Sequence, residues 1–150
     1  MTEACRLVTI LMADDDEDDR LLAREALAES RVLNEFFCVE DGIELMRYLR
    51  KEAHYSDGKL YPLPSLILLD LNMPRMDGRE ALALIKADPA LRSIPVIILT
   101  TSKAEEDMLR GYELGAASYI TKPVTFEKLV ELMKSLGRCW IEFVELPNRR

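Results

Sequence analysis

Hydrophobic and polar residues alternate along this chain in blocks that predict five strands, each followed by a helix. The apolar runs are short, and continuous runs of this kind are typical of strands that are buried on both faces. Between them, apolar residues recur at spacings of three and four, which indicates helices with one buried face. The predicted strands are Arg6–Met12, Asn34–Val39, Leu66–Leu69, Pro95–Leu99 and Ser118–Thr121.

Capping patterns mark the starts of three helices. In each pattern an acid stands three residues after a side chain that can accept a hydrogen bond from the first helical turn. The three patterns are Asp41-Gly-Ile-Glu44, Asp77-Gly-Arg-Glu80 and Ser102-Lys-Ala-Glu105. The first helix is predicted over about 17–30. The fifth is predicted to begin at Thr125, with an apolar stripe at Leu129, Met133, Leu136 and Trp140.

Two connections stand out between these elements. Gly115 is predicted to end the fourth helix, because glycine is the usual residue just beyond a helix C-terminus. Residues 51–64 are polar and are interrupted by Gly58, Pro62 and Pro64, which predicts a surface loop. This loop is longer than most connections and is therefore a candidate contact surface.

A strand-helix unit repeated five times predicts a parallel sheet with right-handed crossovers and helices on both faces. The predicted fold class is α/β, a flavodoxin-like, doubly wound five-stranded sheet of the (βα)5 type. We expect one domain across residues 1–150, with a core of about 6–136 and an extended C-terminal helix and tail over about 137–150. No stretch predicts a second domain or an effector.

Composition indicates which kinds of binding partner and which cellular compartment to expect. The formal net charge of −7 argues against nucleic acid as a partner, because phosphate backbones attract lysine and arginine clusters. No apolar run approaches the roughly 20 residues that cross a bilayer, and no signal peptide is evident, so we expect no membrane association. Cys5, Cys38 and Cys139 have no metal-type spacing and favour a reducing, cytoplasmic setting. With His54 as the one histidine, a zinc site or a Ser-His triad is disfavoured.

Polar side chains follow the carboxyl ends of four predicted strands. Asp14 and Asp15 come after the first strand, Asp70 after the third, Thr100 after the fourth and Lys122 after the fifth. Parallel strands present these ends at one edge of the sheet, where such folds carry their ligand sites. If strands 1, 3, 4 and 5 are neighbours, three carboxylates converge on a hydroxyl and an ammonium group.

This set of side chains predicts phosphoryl transfer. Adjacent carboxylates repel one another unless a cation lies between them. Oxygen ligands without cysteine or histidine select a hard ion, and Mg²⁺ suits a site that is completed by water and phosphate. Lys122 can bind phosphate oxygens, and Asp70 can accept a phosphoryl group as an acyl phosphate.

Each of these residues also has a plain structural explanation. The six consecutive acids at 14–19 are typical of a solvated helix start. Asp70 can be a turn former, Thr100 can belong to the cap of the fourth helix, and Lys122 can be an exposed turn residue before proline. Their joint position at successive strand ends is what favours a site.

Four sequence blocks resemble the signatures of the receiver domain of two-component response regulators. They cover about residues 6–136, in the order and at the spacing of that family. The resemblance implies the CheY-like version of the fold, and a phosphoacceptor rather than a turnover enzyme. The blocks are Asp14-Asp15, Asp70-Leu-Asn-Met-Pro-Arg-Met-Asp-Gly78, Thr100-Thr101 and Tyr119-Ile-Thr-Lys-Pro123.

The resemblance implies roles for the residues at the strand ends. Asp70 would take a phosphoryl group from the phosphohistidine of a sensor histidine kinase. Asp15, Asp70 and the backbone carbonyl of Asn72 would bind Mg²⁺ directly, and Asp14 would act mostly through water. Lys122 would pair with the phosphate.

The resemblance also implies a conformational switch. Thr100 would hydrogen-bond the phosphate, and Tyr119 would turn inward as Thr100 moves. A half-buried strand aromatic is the plain alternative for Tyr119. Asn72 and Ser102 occupy positions that tune hydrolysis of the acyl phosphate in this family, and its bond equivalent to Lys122–Pro123 is often cis.

The loop at 51–64 and the tail at 138–147 resemble one particular group within this family. Both are similar to those of single-domain regulators that serve bacterial and cyanobacterial phytochrome kinases. This implies a phytochrome-type histidine kinase as partner, and a homodimer formed through the fourth helix, the fifth strand and the last helix. Trp140 and Phe143 would supply apolar interface surface, unless the tail folds back on its own core.

Two other functions compete with this one. An aspartyl phosphatase would use Asp70-Leu-Asn72 as its nucleophile motif, but Asn72 stands where such enzymes need a second acid. A flavodoxin-like cofactor binder would need a glycine- or hydroxyl-rich phosphate loop after strand 1, where this chain has acids. We therefore favour a phosphorylation-controlled interaction module.

Overall fold

A computed structural model describes residues 8–29 and 34–136 of the chain. Strands and helices alternate through these two ranges. The strands are β1 (Val8–Ala13), β2 (Asn34–Val39), β3 (Leu66–Asp70), β4 (Val96–Thr100) and β5 (Ser118–Thr121). The helices are α1 (Glu17–Glu29), α2 (Gly42–Leu49), α3 (Gly78–Ala87), α4 (Lys103–Arg110) and α5 (Phe126–Leu136), with a short 3₁₀ helix at Ala53–Ser56.

The five strands run parallel in the order β2-β1-β3-β4-β5. This order is the flavodoxin-like one, so the predicted doubly wound fold is confirmed. In the register, Ala13 pairs with Leu69, and Thr100 pairs with Thr121. The carboxyl ends of β1, β3, β4 and β5 therefore lie side by side, as the predicted site requires.

Alternate residues of the central strands pack into two separate layers. On β3, Ile67 and Leu69 belong to the layer formed with α2, α3 and α4, whereas Leu66 and Leu68 belong to the layer formed with α1 and α5. Every residue of β3 is buried. Because both faces are covered, both sets of positions must be apolar, and each side chain of this size contributes roughly 1.5–3 kcal/mol by burial.

The three predicted N-caps are formed. In each, the capping side chain accepts a hydrogen bond from the backbone N–H three residues further on, a contact that contributes about 0.5–2 kcal/mol. The caps are Asp41 at 2.9 Å, Asp77 at 3.0 Å and Ser102 at 3.1 Å. The reciprocal half of the capping box is altered at α4, where Glu105 accepts from the backbone N–H of Thr101 at 2.7 Å.

The prediction that helix α4 ends at Gly115 is wrong. The helix ends at Arg110, and Gly111 is its C-cap. Beyond it, Glu113 has a left-handed backbone with φ of 50°, which a helix cannot contain. Gly115, with φ of 91°, serves a later turn that leads into β5.

The prediction of a polar surface loop at 51–64 is only partly right. Tyr55 of the 3₁₀ helix is buried, and its ring centroid lies 5.2 Å from that of Tyr48 and 5.0 Å from that of Tyr61. Tyr48 also donates its hydroxyl hydrogen to the Pro62 carbonyl at 2.8 Å. Aromatic rings therefore fix this segment on α2, and a count of polar residues does not detect such packing.

Other boundaries agree with the sequence within one or two residues. The Arg6 start predicted for β1 lies outside the described residues. The predicted stripe of α5 is buried at Leu129, and its continuation at Met133, Leu136 and Trp140 lies outside the side chains that the structure describes. In the part of the chain that is described, every helix is too short or too polar to cross a membrane.

Gly78 lets the first turn of α3 pack directly on the end of β3. A Cβ at this position would lie 2.5 Å from the Asp70 carbonyl oxygen and 2.7 Å from the Leu71 Cα, both backbone atoms. We expect Gly78→Ala to destabilise the protein by about 1–3 kcal/mol, since the end of β3 must shift to accept the methyl group. The midpoint of urea unfolding measures this.

Gly58→Ala is the matched control for this substitution. No atom of the described residues lies within 4 Å of a Cβ built at Gly58. We expect a change within about 0.5 kcal/mol there. Equal losses in the two variants would contradict the explanation from close packing.

Candidate functional site

Three aspartates meet where β1 and β3 end. Asp14 follows β1 directly, and its backbone N–H donates to the Val39 carbonyl at 3.1 Å, which continues the pairing with β2. Asp15 is the next residue, and Asp70 is the last residue of β3. Each aspartate offers a carboxylate oxygen, and these atoms lie within 4.8 Å of one another.

The three carboxylates differ in exposure. Asp14 is 0% exposed and Asp70 is 5% exposed, whereas Asp15 is open to solvent. Asp14 Oδ1 accepts a hydrogen bond from the backbone N–H of Asp16 at 2.9 Å. The cluster therefore has a buried floor and one open side through which a hydrated ion or a phosphoryl group can approach.

Lys122 lies against this cluster from β5. Its Nζ is 2.9 Å from Asp14 Oδ2, 2.9 Å from Asp19 Oδ2 and 3.4 Å from Asp70 Oδ2. Its backbone N–H donates to the Thr100 carbonyl at 2.8 Å, and the bond from Lys122 to Pro123 is cis. Sheet pairing thus fixes the lysine backbone beside the end of β4.

Burial and crowding raise the pKa of two of the carboxyl groups. Burial, reinforced by the charge of Asp14, raises the pKa of Asp70 to about 6, and Lys122 opposes the rise. Burial also raises the pKa of Asp14. Burial lowers the pKa of Lys122, but its bonds to Asp19 and Asp14 outweigh this and hold the pKa above its ordinary value. The cluster carries more negative charge than one lysine can neutralise.

The donor set fits a divalent cation. Asp14 Oδ2 is buried and accepts no well-aligned hydrogen bond from any residue that the structure describes, although Lys122 Nζ is 2.9 Å away as an ion-pair partner. Lys122 shares its single charge among three carboxylates, so a further cation would reduce the repulsion that remains among them. Because all three side-chain donors are carboxylate oxygens, a hard ion is the one that fits.

The loop between β3 and α3 is fixed from both sides. The Asn72 backbone N–H donates to Asp70 Oδ1 at 3.2 Å. Arg75 has a left-handed backbone with φ of 64°, and its guanidinium lies 2.8 Å from Asp41 Oδ2 and 3.6 Å from Glu44 Oε2. The Arg75 contacts hold the loop against the start of α2, and the Asn72 N–H contacts the Asp70 carboxylate directly.

The geometry of the acidic site agrees with the similarity of this chain to known proteins. A family profile described as "Response regulator receiver domain" matches residues 10–134. The chain belongs to the response regulator receiver family. Response regulator Rcp1 of Synechocystis sp. is 40% identical to this receiver over 138 residues, which is 92% of each chain.

Solved structures of phytochrome response regulators are similar to this receiver. The phosphorylated cyanobacterial phytochrome response regulator RcpA is 43% identical with a TM-score of 0.72, over 91% of this chain and 95% of its own. The bacteriophytochrome response regulator RtBRR is 39% identical with a TM-score of 0.79, over 88% and 79%. The Mn²⁺-bound form of Rcp1 is 38% identical with a TM-score of 0.69, over 90% and 95%.

The residues assigned to the receiver's switch face away from the aspartates. Thr100 is buried, and its hydroxyl lies 3.2 Å from Thr121 Oγ1 and 3.4 Å from the Ile120 carbonyl oxygen. The Tyr119 hydroxyl donates to the Leu109 carbonyl at 3.2 Å. The structure therefore places Thr100 at the right strand end, with its hydroxyl bonded on the β5 side.

The remaining predicted site residues have other places. Ser102 is the N-cap of α4, and the Asn72 side chain is exposed beside Asp70. Trp140 and Phe143, predicted for a dimer interface, lie outside the described residues. The structure thus brings together Asp14, Asp15, Asp70 and Lys122 among the predicted set.

Sequence reasoning missed Asp19 as part of the site. Asp19 is in the first turn of α1 and ion-pairs with Lys122 at 2.9 Å. The signal was available, because Asp19 stands four residues after Asp15 in the run of six acids and a helix starting at Glu17 brings it back over the strand end. The prediction assigned only Asp14 and Asp15 of this run to the site.

Asp14 illustrates a conflict between stability and ion binding. We expect Asp14→Asn to stabilise the metal-free protein by roughly 1–3 kcal/mol, since a neutral amide removes a buried charge. The same change should weaken binding of a divalent cation at least tenfold, because one negative charge of the carboxylate cluster is lost. Urea unfolding in the presence of a chelator and calorimetric titration with Mg²⁺ measure the two effects.

Asp15→Asn is the control that distinguishes the effect of burying a charge from the effect of the total charge of the cluster. It lowers the charge of the cluster by the same amount, but Asp15 is exposed. We expect weaker ion binding with a stability gain under about 0.5 kcal/mol. An equal stability gain in both variants would show that burial of Asp14 is not the cause.

Proposed function

We propose that Asp70 of this receiver accepts a phosphoryl group from the phosphohistidine of a sensor histidine kinase in a reaction that requires Mg²⁺. The observation that carries the proposal is the convergence of Asp14, Asp15 and Asp70 on Lys122 at one edge of the sheet. The family match and the phosphorylated state named for RcpA support it.

Asp70 is suited to act as the nucleophile. With a pKa of about 6, its carboxylate form predominates at neutral pH. A carboxylate oxygen attacks phosphorus as the P–N bond to the kinase histidine breaks, and the product is an acyl phosphate. The Asn72 N–H holds Oδ1 of this carboxylate at 3.2 Å, and Oδ2 lies 3.4 Å from Lys122 Nζ.

Asp15, Asp70 and the backbone carbonyl of Asn72 would hold Mg²⁺, with Asp14 acting mostly through water. The ion would neutralise charge on the transferring phosphoryl oxygens. The carboxylate-only side chains and the Mn²⁺ named for the Rcp1 structure support a divalent ion at this place. We take the ion to be Mg²⁺ because a site finished by water and phosphate suits it.

Lys122 changes partners in this proposal. In the unphosphorylated receiver its ammonium group is shared among three carboxylates. A phosphoryl group on Asp70 adds about two negative charges, and Lys122 then pairs with a phosphoryl oxygen. Because the pKa of Lys122 is raised, the side chain stays protonated throughout.

Thr100 and Tyr119 are the proposed switch. A phosphoryl group would draw the Thr100 hydroxyl from β5, and the Tyr119 ring would turn into the space left behind. Asn72 and Ser102 would tune hydrolysis of the acyl phosphate. The output is then a changed protein-binding surface at α4 and β5, and the receiver acts as a signalling phosphoacceptor in the cytoplasm rather than as a turnover enzyme.

A phytochrome-type histidine kinase is the proposed partner. The names of RcpA and RtBRR connect them with cyanobacterial phytochromes and bacteriophytochromes, and the similarity to this receiver extends over 91% and 88% of its length. The net charge of −7 supports a protein partner over nucleic acid.

Asp70→Asn tests the acceptor. We expect the variant to lose all Mg²⁺-dependent, alkali-labile phosphorylation from a phosphorylated kinase, because an amide cannot form the acyl phosphate. Transfer of radiolabelled phosphate, followed by gel separation, measures this. Asp107→Asn, which changes an exposed acid on α4, is the control and should be labelled like the wild type. Labelling of Asp70→Asn at the wild-type rate would refute the proposal.

We also propose that the receiver forms a homodimer through α4, β5 and the last helix, with Trp140 and Phe143 in the interface. Trp140→Ala combined with Phe143→Ala should shift the mass measured by light scattering from dimer to monomer. Asn148→Ala changes a polar residue of the same tail and should leave the mass unchanged. A monomeric wild-type protein, with and without phosphorylation, would contradict the dimer.

A further inference from the structure

A partly buried chain of hydrogen bonds leads from Thr100 to helix α4. The Thr100 hydroxyl is 3.2 Å from Thr121 Oγ1, and Thr121 Oγ1 is 3.0 Å from Glu106 Oε1. Thr100 and Thr121 are paired in the register of β4 and β5, so both hydroxyls lie on the sheet face that α4 covers. Thr100 is 0% exposed and Glu106 is 7% exposed.

The carboxylate of Glu106 fixes the direction of this chain. An ionised carboxylate can only accept, so Thr121 must donate its hydroxyl hydrogen to Glu106. Thr121 Oγ1 is then left to accept from Thr100. The hydroxyl hydrogen of Thr100 therefore points toward β5, and hydrogen bonds that run in one direction strengthen each other.

Glu106 is ionised in spite of its burial. Burial raises the pKa of its carboxyl group, but hydrogen bonds from Thr121, Arg110 and Lys103 outweigh this and hold the pKa below its usual value. Its Oε2 lies 3.0 Å from the Arg110 guanidinium and 3.3 Å from Lys103 Nζ. Both oxygens are therefore occupied, and Oε1 is committed to Thr121.

We propose that Thr121 and Glu106 are positioning residues that hold the Thr100 hydroxyl in its β5-facing state and so oppose its capture by a phosphoryl group on Asp70. To donate to a phosphoryl oxygen, Thr100 must first release Thr121. The inference rests on the proposed function, since it concerns the response to a phosphoryl group.

The same carboxylate also reaches Tyr119. The Arg110 guanidinium that pairs with Glu106 lies 4.7 Å from the centre of the Tyr119 ring, which is a cation–π distance. Glu106 is thus connected to both proposed switch residues, to Thr100 through a hydroxyl and to Tyr119 through a cation. If Thr100 released Thr121, the surroundings of both Thr100 and Tyr119 would change.

Beryllofluoride with Mg²⁺, used as a mimic of the phosphoryl group, tests the inference by calorimetric titration. Thr121→Val keeps the shape of the side chain and removes the hydroxyl, so Thr100 loses this competing partner and keeps the longer contact of 3.4 Å to the Ile120 carbonyl. We expect Thr121→Val to bind beryllofluoride about two- to tenfold more tightly than the wild type, the range that one hydrogen bond covers. Thr121→Ser restores the hydroxyl and should return the affinity to the wild-type value.

A double-mutant cycle with Thr100→Val separates positioning from a general structural effect. If Thr121 acts through Thr100, adding Thr121→Val to Thr100→Val should leave the beryllofluoride affinity unchanged. A gain of the same size in both backgrounds would overturn the inference. Should Thr121→Val fail to fold, Thr121→Ala removes the same hydroxyl without adding bulk and takes its place.

Failure of the inference can be distinguished from failure of the proposed function. A wild-type protein that binds no beryllofluoride in the presence of Mg²⁺ would refute both. A wild-type protein that binds it while Thr121→Val, or its Thr121→Ala replacement, shows the same affinity would refute the positioning role alone.

Discussion

Repulsion among buried carboxylates at the end of β1 and β3 is the constraint on which this structure depends. Asp14 and Asp70 are nearly inaccessible to water, and Lys122 is the cation that their carboxylates contact among the described residues. This arrangement costs stability, because two buried carboxylates that share one ammonium group repel each other. This repulsion favours binding of a divalent cation, whose positive charge gives the carboxylate oxygens a new partner.

The rest of the sheet supplies rigidity to this cluster. The fully buried strands β3 and β4 fix the backbone of Asp70 and Thr100 at their carboxyl ends. Gly78 then allows α3 to approach the end of β3 within the distance of a direct backbone contact. The repulsion among the carboxylates at this edge of the sheet therefore acts on a tightly packed part of the molecule, where small displacements are costly.

The sequence was sufficient for the order of elements and for the acids, because both depend on patterns that short segments carry. Apolar runs located the strands, and the strand ends located Asp14, Asp70 and Lys122. Asp19 and Glu106 lie in helices α1 and α4, so the strand-end pattern did not indicate them. The end of α4 was misplaced because a glycine signals a left-handed residue without indicating which turn needs it.

The aromatic packing of the 51–64 segment has a consequence for the site. Tyr55 donates its hydroxyl hydrogen to Glu44 Oε1 at 2.8 Å, while Arg75 approaches Glu44 Oε2 at 3.6 Å. One carboxylate is thus shared between a segment that looks peripheral and the loop that follows Asp70. The Glu44 carboxylate therefore links the 51–64 segment to the loop that follows Asp70, and a change at Tyr55 would alter the support of that loop.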